Sequence, residues 1–318
     1  MTTFDPATSP ETLALPEALT AEAAPELPGW LARARAAVAS ATSDALAVPE
    51  SALENTWLWK GVDTGDGVRY GLYRGAETIE AASAELEAAL SGAPARPPAV
   101  IRGAPATIAR WILHGRLAAL DDSWLDRVPK PGEWTTRQTL AHIVDGQWSY
   151  GWFTRWWLTQ PRGPSRPARV SDEAEAASQR AMPEGLAEGS GSLAEIRARL
   201  DSVLDEWALR YVDLSPAGLA APVVWAGVPV QAEFRLGRWT SHIDEHTIQI
   251  DKTLDWLGYQ PTEPARIARA LVAAWGRLEA RIFPVPPAGT EAAVSEILER
   301  MAAELTADAR SVREAAEA

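Results

Sequence analysis

Residues 236–258 read LGRWTSHIDEHTIQIDKTLDWLG, and two of the four histidines of the chain, His242 and His246, lie in this stretch. Its apolar spacing predicts a helix that ends at Gly258, with Pro261 beyond. A step of four residues is about 400° of helical turn, so both imidazoles lie on one face, roughly 6 Å apart. Such a pair suits two ligands of one metal ion, but it also suits surface or capping histidines. A third ligand elsewhere in the chain would favour the metal site.

Composition limits the classes of protein to consider. The chain has 318 residues, 47% of them hydrophobic, which is enough for a core in one large or two modest domains. It has no cysteine, which excludes disulfides, thiolate metal sites, iron–sulfur clusters and a cysteine nucleophile. The N-terminal segment does not resemble a signal peptide, and no apolar run approaches the ~18 residues of a membrane span. We therefore expect a cytoplasmic protein that makes no membrane contact.

The acidic net charge of the chain limits the partners that we expect it to bind. The net charge is −13, and an acidic protein repels phosphate backbones, so we expect no nucleic-acid partner. All but three of the 30 basic residues are arginine, and alanine is abundant, which is typical of a GC-rich bacterial genome. The 15 tryptophans suit core packing or the wall of an aromatic pocket. The expected partner is a small-molecule substrate, and a homodimer stays open.

The apolar periodicity predicts an all-α fold. Four segments have the length and stripe of bundle helices, at 106–120, 135–160, 192–212 and 235–258. The connection at 161–191 is far longer than the ~2–8 residues of a tight turn, so it lets the second and third helices run parallel. The prediction is an up-down-down-up four-helix bundle with extra N- and C-terminal helices. A short β-hairpin is expected around Ala226 and Gly227.

The domain boundaries follow from changes in composition and pattern. Large apolar residues are few in the first 26 positions, which predicts a mobile tail. The helical pattern then divides at proline-rich breaks. The predicted parts are a tail at 1–26, an N-terminal helical extension at 27–100, the bundle at 101–260 and a C-terminal helical extension at 261–318.

His142 is the candidate for the third ligand. It lies beside the apolar stripe of the second bundle helix, on a ridge that continues through Asp145 to Trp152. One interpretation is a buried histidine that is hydrogen-bonded to Asp145 or Gln138. The other is a metal ligand that faces His242 and His246, since bundles build metal sites from inward side chains on facing helices. Three imidazoles would leave coordination positions open, as in catalytic sites.

Two segments resemble a known family. EWTTRQTLAHIVDGQW (133–148) resembles the start of the second helix in the DinB/YfiT-like superfamily of metal-binding four-helix bundles, with matches at Trp134, Thr135 and His142. Residues 236–258 are similar to its fourth helix, with matches at His242, His246 and Gln249. The loop WLDRVPKPGEW (124–134) also looks like that family. The resemblance covers roughly 101–260.

The resemblance implies a metal site and a reaction class. His142, His242 and His246 would hold one divalent metal, zinc or nickel before iron or manganese. Relatives include bacillithiol transferases and a mycothiol-dependent maleylpyruvate isomerase. The implied function is therefore a metal-dependent thiol S-transferase that acts on a small electrophile, with a low-molecular-weight thiol as cosubstrate.

Further residues near the histidines are candidates for substrate chemistry. Asp145 and Glu245 are expected to be catalytic carboxylates or else solvated helix residues. Gln249 and Trp152 are expected to contact a bound ligand or cosubstrate. Three more side chains are either pocket residues or part of the packed core, namely Trp148, Trp111 and His114.

Two other functions fit the same residues. HIDEH (242–246) matches the His-x-x-Glu-His pattern of inverted zinc peptidases, with Glu245 as the general base of a metal-dependent hydrolase. Those peptidases are α/β proteins, whereas this chain shows no sheet beyond a hairpin. The second alternative is a non-catalytic stress-response bundle that binds a metal or ligand, because a fold does not imply a function.

Overall fold

The computed structural model describes residues 13–22 and 26–318, and the all-α prediction is confirmed for them. Eleven α-helices lie in these residues, and none is both long and apolar enough to cross a membrane. The helices are α1 (Glu17–Thr20), α2 (Gly29–Ala47), α3 (Gly67–Leu90), α4 (Pro98–Leu117), α5 (Thr136–Thr159), α6 (Asp172–Ala181), α7 (Leu193–Arg210), α8 (Pro216–Leu219), α9 (Ala232–Trp256), α10 (Glu263–Glu279) and α11 (Glu291–Glu317).

Short elements complete the described part of the chain. Two antiparallel hairpins pair β1 (Leu58–Trp59) with β2 (Val62–Asp63) and β3 (Pro222–Trp225) with β4 (Val228–Gln231). Three 3₁₀ turns span Glu50–Ala52, Asp122–Trp124 and Gly163–Ser165. The predicted hairpin is β3–β4. Its two turn residues have positive φ, 49° at Ala226 and 79° at Gly227, as a two-residue type I′ turn requires.

The four predicted bundle helices are α4, α5, α7 and α9. The predicted start of α4 at 106 is wrong, because the helix already begins at Pro98. Proline is well tolerated in the first turn, where its missing N–H would have no intrahelical partner. The long crossover between α5 and α7 contains the short helix α6.

Side-chain and backbone caps explain where the site helices begin and end. At the start of α5, Gln138 N–H donates to Thr135 Oγ1 (3.2 Å) and Thr135 N–H donates to Gln138 Oε1 (2.9 Å). At the end of α9, Gly258 has φ 75°, and the Tyr259 N–H donates to the Leu254 carbonyl oxygen (3.0 Å). The start of α5 and the end of α9 are therefore set by residues close by in the sequence. The helices that carry the three histidines owe these two ends to local signals.

The chain forms two compact units. Among the described residues, the first unit comprises 13–22, 97–103 and 140–242, and the second comprises 26–96, 104–139 and 243–318. Helices α4, α5 and α9 each contribute to both units. The four parts expected from the sequence, and the three boundaries between them, stay a prediction.

The predicted mobile tail falls partly outside the described residues, at 1–12 and 23–25. Within 13–22 the chain forms α1, where Leu19 is fully buried. Arg210 of α7 donates from Nη1 to the carbonyl oxygens of Ala18 (3.1 Å) and Ala21 (2.8 Å). This contact could not be predicted from the sequence pattern, because its two sides lie almost two hundred residues apart in the chain.

The second unit contains a buried charge network. Helices α2, α3, α10 and α11 pack on one another there. Glu279 of α10 has no exposed surface. Its Oε1 accepts from Arg35 Nη2 (2.7 Å) and Arg110 Nη2 (2.5 Å), and its Oε2 accepts from Arg35 Nε (3.0 Å) and Trp111 Nε1 (3.1 Å). One carboxylate therefore joins α2, α4 and α10.

We expect Glu279→Gln to lower the free energy of unfolding by about 3–5 kcal/mol. The substitution keeps the shape of the side chain but removes the buried carboxylate that pairs with two largely buried guanidinium groups. Urea unfolding of both proteins measures the difference. The matched control is Glu296→Gln, which removes an exposed ion pair with Arg300 and should change stability little. Equal effects of the two substitutions would contradict this account of the network.

Candidate metal centre

The three histidines singled out in the sequence converge. His142 lies on α5, and His242 and His246 lie one turn apart on α9. One ring nitrogen of each lies within 4.8 Å of those of the other two. His142 Nε2 and His242 Nε2 are 3.1 Å apart. Two nitrogens about 2.0–2.1 Å from a tetrahedral zinc ion would lie about 3.4 Å apart, so this spacing fits two ligands of one ion.

His246 is held in a tautomer that suits metal binding. The Gln249 Oε1 atom lies 2.8 Å from His246 Nδ1. An amide oxygen only accepts hydrogen bonds, so Nδ1 carries the proton and Nε2 carries the lone pair, which is the tautomer that a metal needs. The indole of Trp134 stacks on this imidazole, with ring centroids 6.4 Å apart and planes inclined by 21°. Gln249 and Trp134 thus orient the ring.

His242 is the most enclosed of the three converging histidines, with 4% of its surface exposed. Its ring lies against the backbone of Gly146 on α5, where an added Cβ would stand 2.4 Å from His242 Cε1. Tyr150 approaches the ring edge-on, with centroids 5.5 Å apart. His242 Nδ1 lies 3.3 Å from the side-chain amide of the fully buried Gln147. Packing on α5 therefore fixes the ring in place.

The donor set fits a divalent metal. All three donors are imidazoles, which suit zinc, nickel, copper and iron. The Nδ1 atoms of His242 and His246 each face a glutamine side chain, and at His246 the amide oxygen of Gln249 holds the tautomer that a metal-ligating histidine needs. His142 and His246 are partly exposed, so solvent and small molecules reach the group.

The two predicted catalytic carboxylates lie on the same helices as the ligands. Asp145 follows His142 by one turn of α5 and is half-buried. Burial raises the pKa of its carboxyl group, a shift that the nearby His142 opposes and Glu188 reinforces. Glu245 is exposed on α9, next to His246. The catalytic roles of both stay predictions.

The tryptophans suggested as pocket residues lie in other surroundings. Trp152 lies ten residues after His142, which is about 15 Å along the helix, and it lines an open groove with Arg155, Trp156 and Thr159. Trp148 is buried and donates from Nε1 to Ser178 Oγ (3.1 Å). Trp111 is buried against Glu279. A role for Trp152 in ligand binding stays a prediction, whereas Trp148 and Trp111 are packed in the core.

His114 is a buried histidine rather than a pocket-edge residue. It has 1% of its surface exposed and lies edge-on to Trp111, with ring centroids 5.2 Å apart. It is absent from the group of converging ligands. His114 can therefore serve as a reference histidine in metal-binding experiments.

Sequence reasoning missed Gly146 and Gln147. A glycine inside a helix costs about 1 kcal/mol relative to alanine, and this cost can signal a close approach of another element. Gly146 carried that signal. Gln147 carried none, because nothing in a linear sequence distinguishes a buried amide that faces an imidazole from an exposed glutamine.

Comparison with known proteins identifies the region that contains the site. Residues 106–250 match the family model described as the DinB superfamily. No curated protein and no solved structure matches the chain. The matched region includes His142, His242 and His246, and it contains Gly146 and Gln147 as well.

We expect the protein to bind about one divalent ion per chain. His142→Ala and His246→Ala should each lower the metal content strongly, because each removes one of three donors. Elemental analysis after loading with zinc and gel filtration measures the content. His114→Gln is the control and should keep its metal. Full occupancy in both ligand variants would rule out this site.

We also expect Gly146→Ala to weaken metal binding about tenfold or more, because the new methyl group must push His242 out of line. A chelator competition titration measures the affinity. Gly103→Ala is the matched control, since the Cβ added on α4 meets no atom within 4 Å. It should leave metal binding unchanged and stabilise the fold by about 0.5–1 kcal/mol. Identical metal affinities in the two variants would show that the close approach at Gly146 is unimportant.

Proposed function

Because the chain belongs to the DinB superfamily through residues 106–250, we propose that it is a metal-dependent thiol S-transferase that acts on a small electrophile. The observation that carries the proposal is the convergence of His142, His242 and His246. Three nitrogen donors from the protein leave positions for water or a substrate atom, which is the arrangement of catalytic rather than structural metal sites.

The chemistry requires a thiol from outside the chain. The sequence has no cysteine, so no side chain supplies a sulfur nucleophile. When bound, a divalent metal lowers the pKa of a thiol that coordinates it and so provides a thiolate at neutral pH. A low-molecular-weight thiol is therefore the proposed cosubstrate. A cytoplasmic location is part of this proposal, because a reducing compartment keeps such thiols in the reduced state.

The side chains around the site have distinct tasks in this proposal. The three imidazoles hold the metal, and Gln249 keeps the His246 lone pair directed at it. Trp134 forms a flat apolar wall beside His246, with 40% of its own surface exposed for contact with the electrophile. Asp145 lies one turn from His142 and would take up the proton that the thiol releases.

Zinc or nickel is the proposed metal. Both accept imidazole nitrogens readily, as does iron, whereas manganese prefers oxygen donors. A set of three neutral donors also leaves the charge of the ion uncompensated, which strengthens its effect on a bound thiol.

A metal-dependent hydrolase is the alternative, and Glu245 is the residue that favours it. This carboxylate is exposed and adjacent to His246, where it could act as a general base for water. The inverted zinc peptidases that share its His-x-x-Glu-His pattern are α/β proteins, whereas the described residues are helical apart from short hairpins. A non-catalytic bundle would show neither activity.

We expect added thiol to accelerate turnover of small electrophiles by the zinc- or nickel-loaded protein. The thiol is the nucleophile in a transferase, so the rate should rise with its concentration and vanish with a chelator. The measurement is product formation from a panel of electrophiles and esters, with and without several low-molecular-weight thiols.

The sign of the thiol effect separates the alternatives. In a hydrolase, metal-bound water attacks, and thiol would slow the reaction because it competes for the open position. Ester hydrolysis that every thiol inhibits would replace the transferase with the hydrolase. No turnover of any compound would favour the binding module. His246→Ala is the control, and any activity that it retains does not come from this site.

A further inference from the structure

The metal-ligand geometry leaves one buried group unexplained, the side-chain oxygen of Gln147. Gln147 has no exposed surface, and its Oε1 has no hydrogen-bond partner among the described residues. Its Nε2 lies 3.3 Å from His242 Nδ1. An unpaired buried acceptor costs about 1–3 kcal/mol, so its position next to a ligand histidine calls for a physical reason.

In this arrangement the proton of His242 is on the wrong nitrogen for metal binding. The Gln147 amide group donates to Nδ1, so Nδ1 is an acceptor and the imidazole proton is on Nε2. His242 Nε2 can then donate to His142 Nε2, 3.1 Å away. A metal ion requires a lone pair at His242 Nε2, and therefore a proton at Nδ1 that needs an acceptor.

We propose that Gln147 is a positioning residue that switches the tautomer of His242 when the metal binds. Without metal, its Nε2 donates to His242 Nδ1. With metal, the amide turns by 180°, and its Oε1 accepts from His242 Nδ1–H. One proton leaves Nε2 and one arrives at Nδ1, so His242 stays neutral. This inference rests on the proposed metal site.

The surroundings of His242 explain why an amide suits this position. The ring has 4% of its surface exposed and cannot turn freely, because Gly146 lies against one side and Tyr150 lies at its edge. The tautomer must therefore change while the ring stays in place. Glutamine carries a donor and an acceptor of nearly the same shape, so it can serve both tautomers without a change of packing. A carboxylate would only accept, and an apolar side chain would do neither.

Gln249 provides a contrast within the same site. Its Oε1 already accepts from His246 Nδ1, so His246 is in the metal-binding tautomer from the start. Only His242 has to change. The switch therefore concerns one of the three ligands, and its effect can be measured separately.

The first experiment follows ring nitrogens by NMR in the unaltered protein, uniformly labelled with ¹⁵N, before and after zinc is added. We expect the His242 ring proton on Nε2 without metal and on Nδ1 with zinc, while His246 carries its proton on Nδ1 in both states. A His242 proton already on Nδ1 without metal would overturn the switch. This measurement needs no variant and does not depend on activity.

The second experiment measures zinc dissociation constants by chelator competition. Gln147→Met has similar length but accepts no strong hydrogen bond, and it should weaken zinc binding about 10–100-fold. Gln147→Glu retains an acceptor and should recover most of the affinity. Gln160→Met is the control, because Gln160 follows α5 directly, outside the site, and bonds to the Trp156 carbonyl oxygen. It should bind zinc like the unaltered protein.

The outcomes separate this inference from the proposed function. Zinc binding by Gln147→Met that equals that of the unaltered protein would overturn the inference alone. Failure of the unaltered protein to bind any divalent metal would overturn the proposed function and the metal-bound half of the switch together. Weak binding in Gln147→Met with recovery in Gln147→Glu would support the metal-bound half of the switch, because glutamate has nearly the shape of glutamine and restores only the acceptor for His242 Nδ1–H.

Discussion

The imidazole of His242 occupies the space where a side chain at position 146 would otherwise lie, and the three-histidine cluster depends on this close approach. The added Cβ would be 2.4 Å from the ring, so only glycine lets the α5 backbone come so near. The approach brings His142 Nε2 to within 3.1 Å of His242 Nε2. Glycine inside a helix lowers stability relative to alanine. At position 146 this loss accompanies a close approach that places the His242 ring beside His142.

Two glutamine side chains also hold histidines of the cluster in position. Gln147 and Gln249 contact the Nδ1 atoms of His242 and His246, and each comes from a helix that also carries a ligand. The group that could hold an ion consists of three imidazoles, and no carboxylate belongs to it. An ion held in this way keeps its charge for the substrate, which suits activation of a thiol or of water.

The helices outside the family match have a structural role of their own. Helices α2, α3, α10 and α11 lie outside residues 106–250 and pack on one another in the second unit. Glu279 connects them to α4 through Arg35, Arg110 and Trp111. A buried ion network of this kind contributes little net stability but penalises any arrangement that leaves a charge unpaired. It therefore specifies how α4 packs in that unit.

Much of the architecture and the three converging histidines could be derived from the sequence alone. Apolar spacing and Gly258 are local signals, and they predicted α5, α7 and α9 closely. The spacing of His242 and His246 follows from helical geometry. Local signals were less reliable at α4, where prolines suggested a later start than the observed one at Pro98.

Only the tertiary structure decided which residues support the ligands. Gly146 matters because of a ring that belongs to another helix, and Gln147 matters because its amide faces that same ring. The carboxylate of Glu279 and the docked turn at Leu19 likewise have partners that are distant in sequence. Helix periodicity is a property of neighbouring residues and can be read along the chain. The tautomer of a buried imidazole depends on atoms that become neighbours only when the helices pack.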